Sequence, residues 1–145
     1  THSYSSAASD VYKRQLTSTT WNEEYQFMGT PVWDSARCLK PKMHRKNQYQ
    51  CLSFGHSKPL DNVRGGAILL DNKDHYEQLK MMSYDGRDPS VDRWIDQKVF
   101  KQGFHYMMRH EECESATLLL DNYISAGNFE HKYKPYPDVR DIEIR

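Results

Sequence analysis

The sequence has no net charge, no long apolar run and too few cysteines for a covalent scaffold, and each shortage removes a class of protein. Twenty basic residues balance 20 acidic ones, so no global field gathers nucleic acid or an anionic membrane surface. The longest apolar runs, Ala67-Ile68-Leu69-Leu70 and Ala116 to Leu120 with Thr117 inside, fall far short of the ~20 residues that a bilayer span needs. Cys38, Cys51 and Cys113 are odd in number and irregular in spacing, which argues against a disulfide framework and for a reducing, cytoplasmic setting. Cys38, His44, Cys51 and His56 share a short stretch but lack the closely paired ligands of a zinc site. No Walker-type loop, nucleophile elbow or dinucleotide fingerprint occurs, and no internal repeat is visible.

What is present suits one domain, since 145 residues suffice for one core and demand no second. The hydrophobic fraction of 37% with a mean hydropathy of -0.92 is low for an enzyme core, although 12% aromatic residues recover some burial. A piece cut from a larger body has this composition. The run Ser5 to Gln15 resembles the in-frame translation of a sequencing-library adapter, so residues 1 to 15 are set aside as a leader without a core. Residues 16 to 126 are expected to form a partial α/β domain, and residues 127 to 145 an extended tail rich in Tyr, Lys and Pro.

Pro31-Val32-Trp33 followed by Asp34 reads as a short buried strand ending at an acid. Lys40 to Gln48, basic and containing Pro41, reads as a loop, and Tyr49 to Phe54 as a strand stopped by Gly55. Gly65-Gly66 leads into a compact apolar strand, Ala67 to Leu70. Asp71-Asn72-Lys73-Asp74 can cap a helix that ends near Gly86 and carries Tyr76, Leu79 and Met82 or Ser83 on one face. Asp85 to Asp92 is a polar loop, Trp94 to Phe104 a short helix or an irregular segment. Glu111 to Tyr123 is a helix with its apolar face at Cys113, Ala116, Leu119, Leu120 and Tyr123. The Met81-Met82 and Met107-Met108 pairs read as core filling. Strands alternating with helices predict an α/β fold.

Asp34, Ser53 and Lys58 each end or follow a predicted strand, where the ligand sites of α/β sheets lie. Pyridoxal phosphate catalysis needs a lysine amine for the cofactor aldehyde, an acid to keep the pyridine nitrogen protonated and donors for the phosphate. An isolated lysine, with a pKa of roughly 10.4, is a poor nucleophile at neutral pH and needs a desolvated site. The three residues supply one group of each kind. Taken singly, a lysine is more often a solvated surface residue, Asp34 can simply cap a helix beginning at Ser35, and Gly65-Gly66 is usually only a turn.

The segments Pro31-Val32-Trp33-Asp34-Ser35-Ala36-Arg37 and Ser53-Phe54-Gly55-His56-Ser57-Lys58-Pro59-Leu60 resemble the strand-acid and Ser-Phe-x-x-x-Lys segments of the DegT/DnrJ/StrS sugar aminotransferases. The resemblance continues through Gly65 to Asn72, Tyr84-Asp85-Gly86-Arg87 and Gly103-Phe104-His105-Tyr106-Met107-Met108, in order, over about Gly29 to Asn122. It implies part of the large domain of a fold type I enzyme. Lys58 would form the Schiff base with pyridoxal 5'-phosphate and move the substrate proton. Asp34 would pair with the pyridinium nitrogen, and Ser53 would donate to the phosphate. Arg37 stands where the family has Gln or His near the ring oxygen, His105 where it has an Asn reaching the neighbouring subunit's phosphate, and Gly55 where it has a His. Retention of a lysine rather than the His of related dehydratases favours transamination.

The implied partners are an amino donor such as glutamate, a keto sugar carried on a nucleotide, and a second copy of the chain. The family's N-terminal part, with its phosphate-cradling helix start and ring-stacking aromatic, is missing from this sequence. The isolated chain is therefore expected to be inactive or nearly so. A non-catalytic relative that keeps the fold, and an unrelated α/β domain, remain as alternatives.

Overall fold

The computed structural model describes residues 24 to 130. The predicted leader, residues 1 to 15, and the tail beyond residue 130 lie outside that range. Four short strands come first: β1 (Tyr25–Gln26), β2 (Val32–Asp34), β3 (Tyr49–Ser53) and β4 (Gly66–Leu69). Two helices follow, α1 (Lys73–Ser83) and α2 (His110–Ala126), with a single 3-10 turn at Trp94–Asp96 between them. The result is a small mixed α/β body. The expected alternation of strands and helices is absent, because residues 35 to 48, which join β2 to β3, contain turns and no helix.

The strands lie side by side in chain order, β1 antiparallel to β2, β2 parallel to β3, and β3 antiparallel to β4. Asp34, Cys51 and Ile68 stand opposite one another across three strands, as do Leu52 and Ala67 across two. Alternation then sorts the side chains onto two faces. Val32, Tyr49, Cys51 and Ile68 share one face with His75, Gln78, Leu79 and Met82 of α1, around a groove of about 340 Å³. Leu52, Phe54, Ala67 and Leu69 share the other with Leu120 of α2. The sheet thus lies between the helices.

Asn72 caps α1 by accepting the His75 N–H on its side-chain oxygen at 2.9 Å, and Asp74 in the first turn and Lys80 in the last suit the helix dipole. Its sheet-facing stripe is shifted from the expected one: Tyr76 points outward at 47% exposure, under the Lys80 ammonium, while His75 faces the groove. The α2 helix extends three residues past Tyr123 to Ala126 and ends at Gly127 with φ +65°. Of its predicted apolar face, Ala116 is buried, Leu119 and Tyr123 are half-buried, and Cys113 and Leu120 are exposed. The Tyr123 hydroxyl donates to the Leu39 carbonyl at 2.9 Å, which ties α2 to the β2–β3 connection.

Part of the interior is polar. Gln50 is fully buried; its Nε2 donates to Glu24 and its Oε1 accepts the Arg45 N–H at 2.8 Å. Ser35 Oγ donates to Glu24 Oε2 at 2.8 Å, Arg45 closes an ion pair with Glu24, and its guanidinium lies 4.1 Å from the Trp33 ring centroid. A buried carboxylate is tolerated only when it is paired in this way.

Candidate functional site

The parallel β2–β3 pair decides where the predicted residues meet. Because the strands run the same way, Asp34 at the end of β2 and Ser53 at the end of β3 reach the same edge of the sheet. Ser53 lies two residues beyond Cys51, the partner of Asp34. With strands about 4.8 Å apart and about 3.3 Å per residue, their Cα atoms are roughly 8 Å from each other. Both positions belong to the face that carries Cys51.

The Asp34 carboxylate is fixed from two sides. Its Oδ2 accepts the Tyr25 hydroxyl at 2.6 Å, and its Oδ1 accepts the Ala36 N–H at 3.0 Å. Tyr25 is only 4% exposed, so the phenol holds this acid from within the fold. Burial first, and the Asp34 charge second, push the Cys51 thiol up from its ordinary pKa, which keeps it a protonated and poorly nucleophilic group. Arg37, half-buried, sits on the turn that follows Asp34.

Beyond Ser53 the chain turns sharply. The Lys58 N–H donates to the Gly55 carbonyl at 3.2 Å, closing a four-residue turn whose third residue, Ser57, has φ +65°. Such a turn holds its ends within about 7 Å, which keeps Lys58 close to the end of β3. Lys58 is half-buried. Ser53 Oγ accepts the Gly55 N–H at 3.3 Å, a bond that leaves its own hydrogen as a donor. The loop returns through Gly65, whose carbonyl accepts the Phe54 N–H at 2.9 Å, to Gly66, which pairs with Ser53. A Cβ on Gly66 would stand 2.5 Å from the Leu52 carbonyl oxygen, and one on Gly65, at φ +103°, would meet the Met108 side chain at 2.6 Å. Both glycines therefore answer to close packing as well as to a turn.

His105 belongs elsewhere. It bridges Tyr84 beyond the end of α1, and its Nδ1 lies 3.1 Å from Asp85 Oδ2. The segment that follows α1 returns to the sheet edge through Met108 against Gly65, and His105 is committed to Asp85. His56 is likewise engaged, 3.1 Å from Asp61 Oδ2. Two participants were not singled out from the sequence: Tyr25, which carries no motif, and Asp61, hidden in the turn-rich Pro59-Leu60-Asp61-Asn62 stretch. The second had a signal, because aspartate in such a stretch commonly captures nearby backbone N–H groups.

Pyridoxal phosphate would need a carboxylate for its ring nitrogen and a lysine amine for its aldehyde, and Asp34 and Lys58 are residues of those types near this edge. For the phosphate, the predicted residues at this edge offer the Ser53 hydroxyl. The N-terminus of α2 is no anion cradle. Glu111 and Glu112 stand in its first turn, and Glu112 Oε2 already accepts the Arg109 N–H at 2.8 Å. Among the described residues, no three His, Cys, Asp or Glu side chains gather as a metal site, and no helix is long and apolar enough to cross a membrane. No protein-family model, curated protein or solved structure matches this chain.

Proposed function

We propose that this chain is the lysine-bearing part of a pyridoxal phosphate-dependent aminotransferase that moves an amino group from an amino acid such as glutamate to a keto sugar, in the manner of the DegT/DnrJ/StrS enzymes it resembles. The observation that carries this reading is the shared edge: an acid and a hydroxyl end neighbouring parallel strands, and the turn bearing Lys58 closes immediately beyond the hydroxyl. When bound, the cofactor supplies an electron sink for the substrate carbon. Asp34, held by Tyr25 and the Ala36 N–H, keeps the proton on the ring nitrogen. The Lys58 amine would hold the aldehyde and move the substrate proton, while Ser53 would donate its hydroxyl to the phosphate. Arg37, on the turn after Asp34, would lie near the ring oxygen, where the resembling enzymes have Gln or His.

In this reading the enzyme works in the cytoplasm, in keeping with its three free thiols, and as a homodimer. Support for a second copy comes from the apolar side chains left in water between the helices, among them Trp94, Ile95, Val99, Phe100 and Tyr106. The competing reading is a non-catalytic relative, favoured by the prior engagement of Ser53 Oγ with Gly55 and of His105 with Asp85.

Incubation with pyridoxal phosphate, borohydride trapping and peptide mass spectrometry separate the two. The aminotransferase reading expects the label on Lys58 in the unsubstituted protein, lost in Lys58→Ala and weakened by Asp34→Ala. A label spread over surface lysines and indifferent to Lys58→Ala would overturn it.

A further inference from the structure

The β3–β4 loop contains two non-glycine residues in the left-handed region, Ser57 at φ +65° and Val63 at φ +67°. For a β-branched residue such as Val63 this conformation is a true outlier that the surroundings must hold in place. The Ser57 N–H donates to Asp61 Oδ2 and the Val63 N–H to Asp61 Oδ1, each at 3.3 Å. One carboxylate therefore serves both strained positions, and its Oδ2 also faces the His56 ring at 3.1 Å. The bonds are longer than the typical ~2.9 Å, but a charged acceptor strengthens each of them. They also pull on the Asp61 carboxyl, holding it below the ordinary carboxylate range, with the Ser57 N–H as the largest cause.

Two other anchors surround this hub. Leu60 is 2% exposed, and Asn62 donates from Nδ2 to the Glu112 carbonyl at 3.0 Å and from its backbone to the Phe54 carbonyl at 3.0 Å. These fix the far limb of the loop against α2 and the end of β3. The near limb, Gly55 to Lys58, has its own turn bond and the tie from Ser57 to Asp61. Ser57 directly precedes Lys58 and sets the direction in which the chain presents it.

We propose that Asp61 is a positioning residue for Lys58: by holding Ser57 and Val63 in left-handed conformation it fixes where the lysine amine stands at the sheet edge. That function for the amine rests on the aminotransferase reading, whereas the placement of Lys58 by Asp61 does not. Removing the carboxylate frees Ser57, relaxes Val63 and lets the turn that ends at Lys58 open. The backbone that carries Lys58 then samples several directions in place of one.

The test uses the whole chain and three readouts. Amide hydrogen exchange by NMR reports Ser57 and Val63, with Leu79 and Lys80 of α1 as internal controls. Competitive modification by a small amine reagent, read by peptide mass spectrometry, reports the reactivity of Lys58 relative to Lys46. Borohydride-trapped pyridoxal phosphate reports capture by the amine. In Asp61→Ala, exchange at Ser57 and Val63 is expected to rise roughly tenfold, as loss of a charged acceptor implies, with α1 unchanged. Lys58 reactivity shifts toward that of Lys46, and trapping at Lys58 falls about as far. Asp61→Asn keeps an acceptor oxygen and should fall between the two, which covers the case in which the alanine variant does not fold. Adding Val63→Gly to Asp61→Ala removes the left-handed penalty and should restore part of the Lys58 behaviour.

Unchanged exchange at Ser57 and Val63 in both variants overturns the proposal, as does faster exchange with Lys58 reactivity unaltered. If exchange and reactivity move as expected while cofactor trapping ignores Lys58→Ala, Asp61 is upheld as the positioning residue and the aminotransferase reading fails instead.

Discussion

Two irregular stretches of the chain, the β3–β4 loop and the excursion between the helices from Tyr84 to Arg109, are held by opposite means. The loop turns around a carboxylate, buries Leu60 and Asn62, and is pinned to α2 by the Arg64–Glu112 ion pair at 3.0 Å. The excursion leaves its large apolar side chains in water, Ile95 at 84% and Tyr106 at 74% exposure. Its internal ties run mostly between exposed groups, among them Trp94 against Phe100, Phe104 stacked on Tyr106, Arg87 between the Tyr84 and Trp94 rings, Asp85 with Arg87 and His105, Arg93 with Asp96, and Gln97 bonded to Asp88. Its closure depends on two glycines in contact. A Cβ on Gly103 would run into the Gly86 nitrogen and one on Gly86, at φ +76°, into the Lys101 carbonyl oxygen, so neither position has room for a side chain. A stretch that buries side chains can keep its shape by itself, whereas one closed at a backbone pinch leaves its apolar surface for something else to cover.

The largest expected break in this contrast is Gly86→Ala. The added methyl would run into the Lys101 carbonyl oxygen from a left-handed residue, at a cost of more than about 3 kcal/mol. Hydrogen exchange should show the Lys101 and Phe104 amides losing protection while Asn62 and Arg64 keep theirs; uniform loss across both stretches would mean that they do not behave separately. Leu60→Ala is the converse and smaller change, removing a fully packed side chain for about 2 to 4 kcal/mol. Thermal unfolding should register it, and the exchange pattern should now spare residues 94 to 107.

The smallest effect is one of pH. The His105 hydrogen bond, aided by Arg87, holds the Asp85 carboxyl below its ordinary range against an opposing desolvation. A depressed acid contributes stability that is complete above its unfolded pKa and lost as pH falls through the lower folded value. The junction of α1 with the excursion should therefore loosen only in acid, below the ordinary carboxylate range near roughly 4. The Tyr106 amide, which donates to the Ser83 carbonyl at 3.0 Å, is the probe, and Asp85→Asn should flatten its profile. A transition centred near neutral pH would assign the effect to another group.

Local chemistry made much of this legible in advance. Asn72 before a helical run, Gly55 and Gly65-Gly66 around two apolar segments, and the spacing from Ala116 to Tyr123 all specify elements through their own backbone and periodicity. The strand at Tyr25–Gln26 could not be read in this way, because two residues acquire strand character only from pairing with Trp33 and Asp34. One position of the α1 stripe differs for a related reason: Leu79 and Met82 line the groove as expected, and Tyr76 does not. Periodicity gives the spacing of a face, but the sheet's orientation decided that His75 and not Tyr76 would look toward Tyr49. Burial of Gln50 beside Glu24 has no sequence signature at all, since amide and carboxylate side chains are ordinarily exposed.

The candidate site divides along the same line. Residue type and chain order alone marked Asp34, Ser53 and Lys58, because each stands where a strand gives way to a turn. Whether they share an edge depended on β2 and β3 running parallel, and that direction is set by hydrogen bonds between distant parts of the chain. Arg37, His105, Tyr25 and Asp61 show the limit most clearly: a side chain's chemistry is written in the sequence, but its partners are chosen by packing. The acid that Tyr25 holds is nine residues away and the one that His105 meets is 20 away, separations across which neither local propensity nor periodicity carries information.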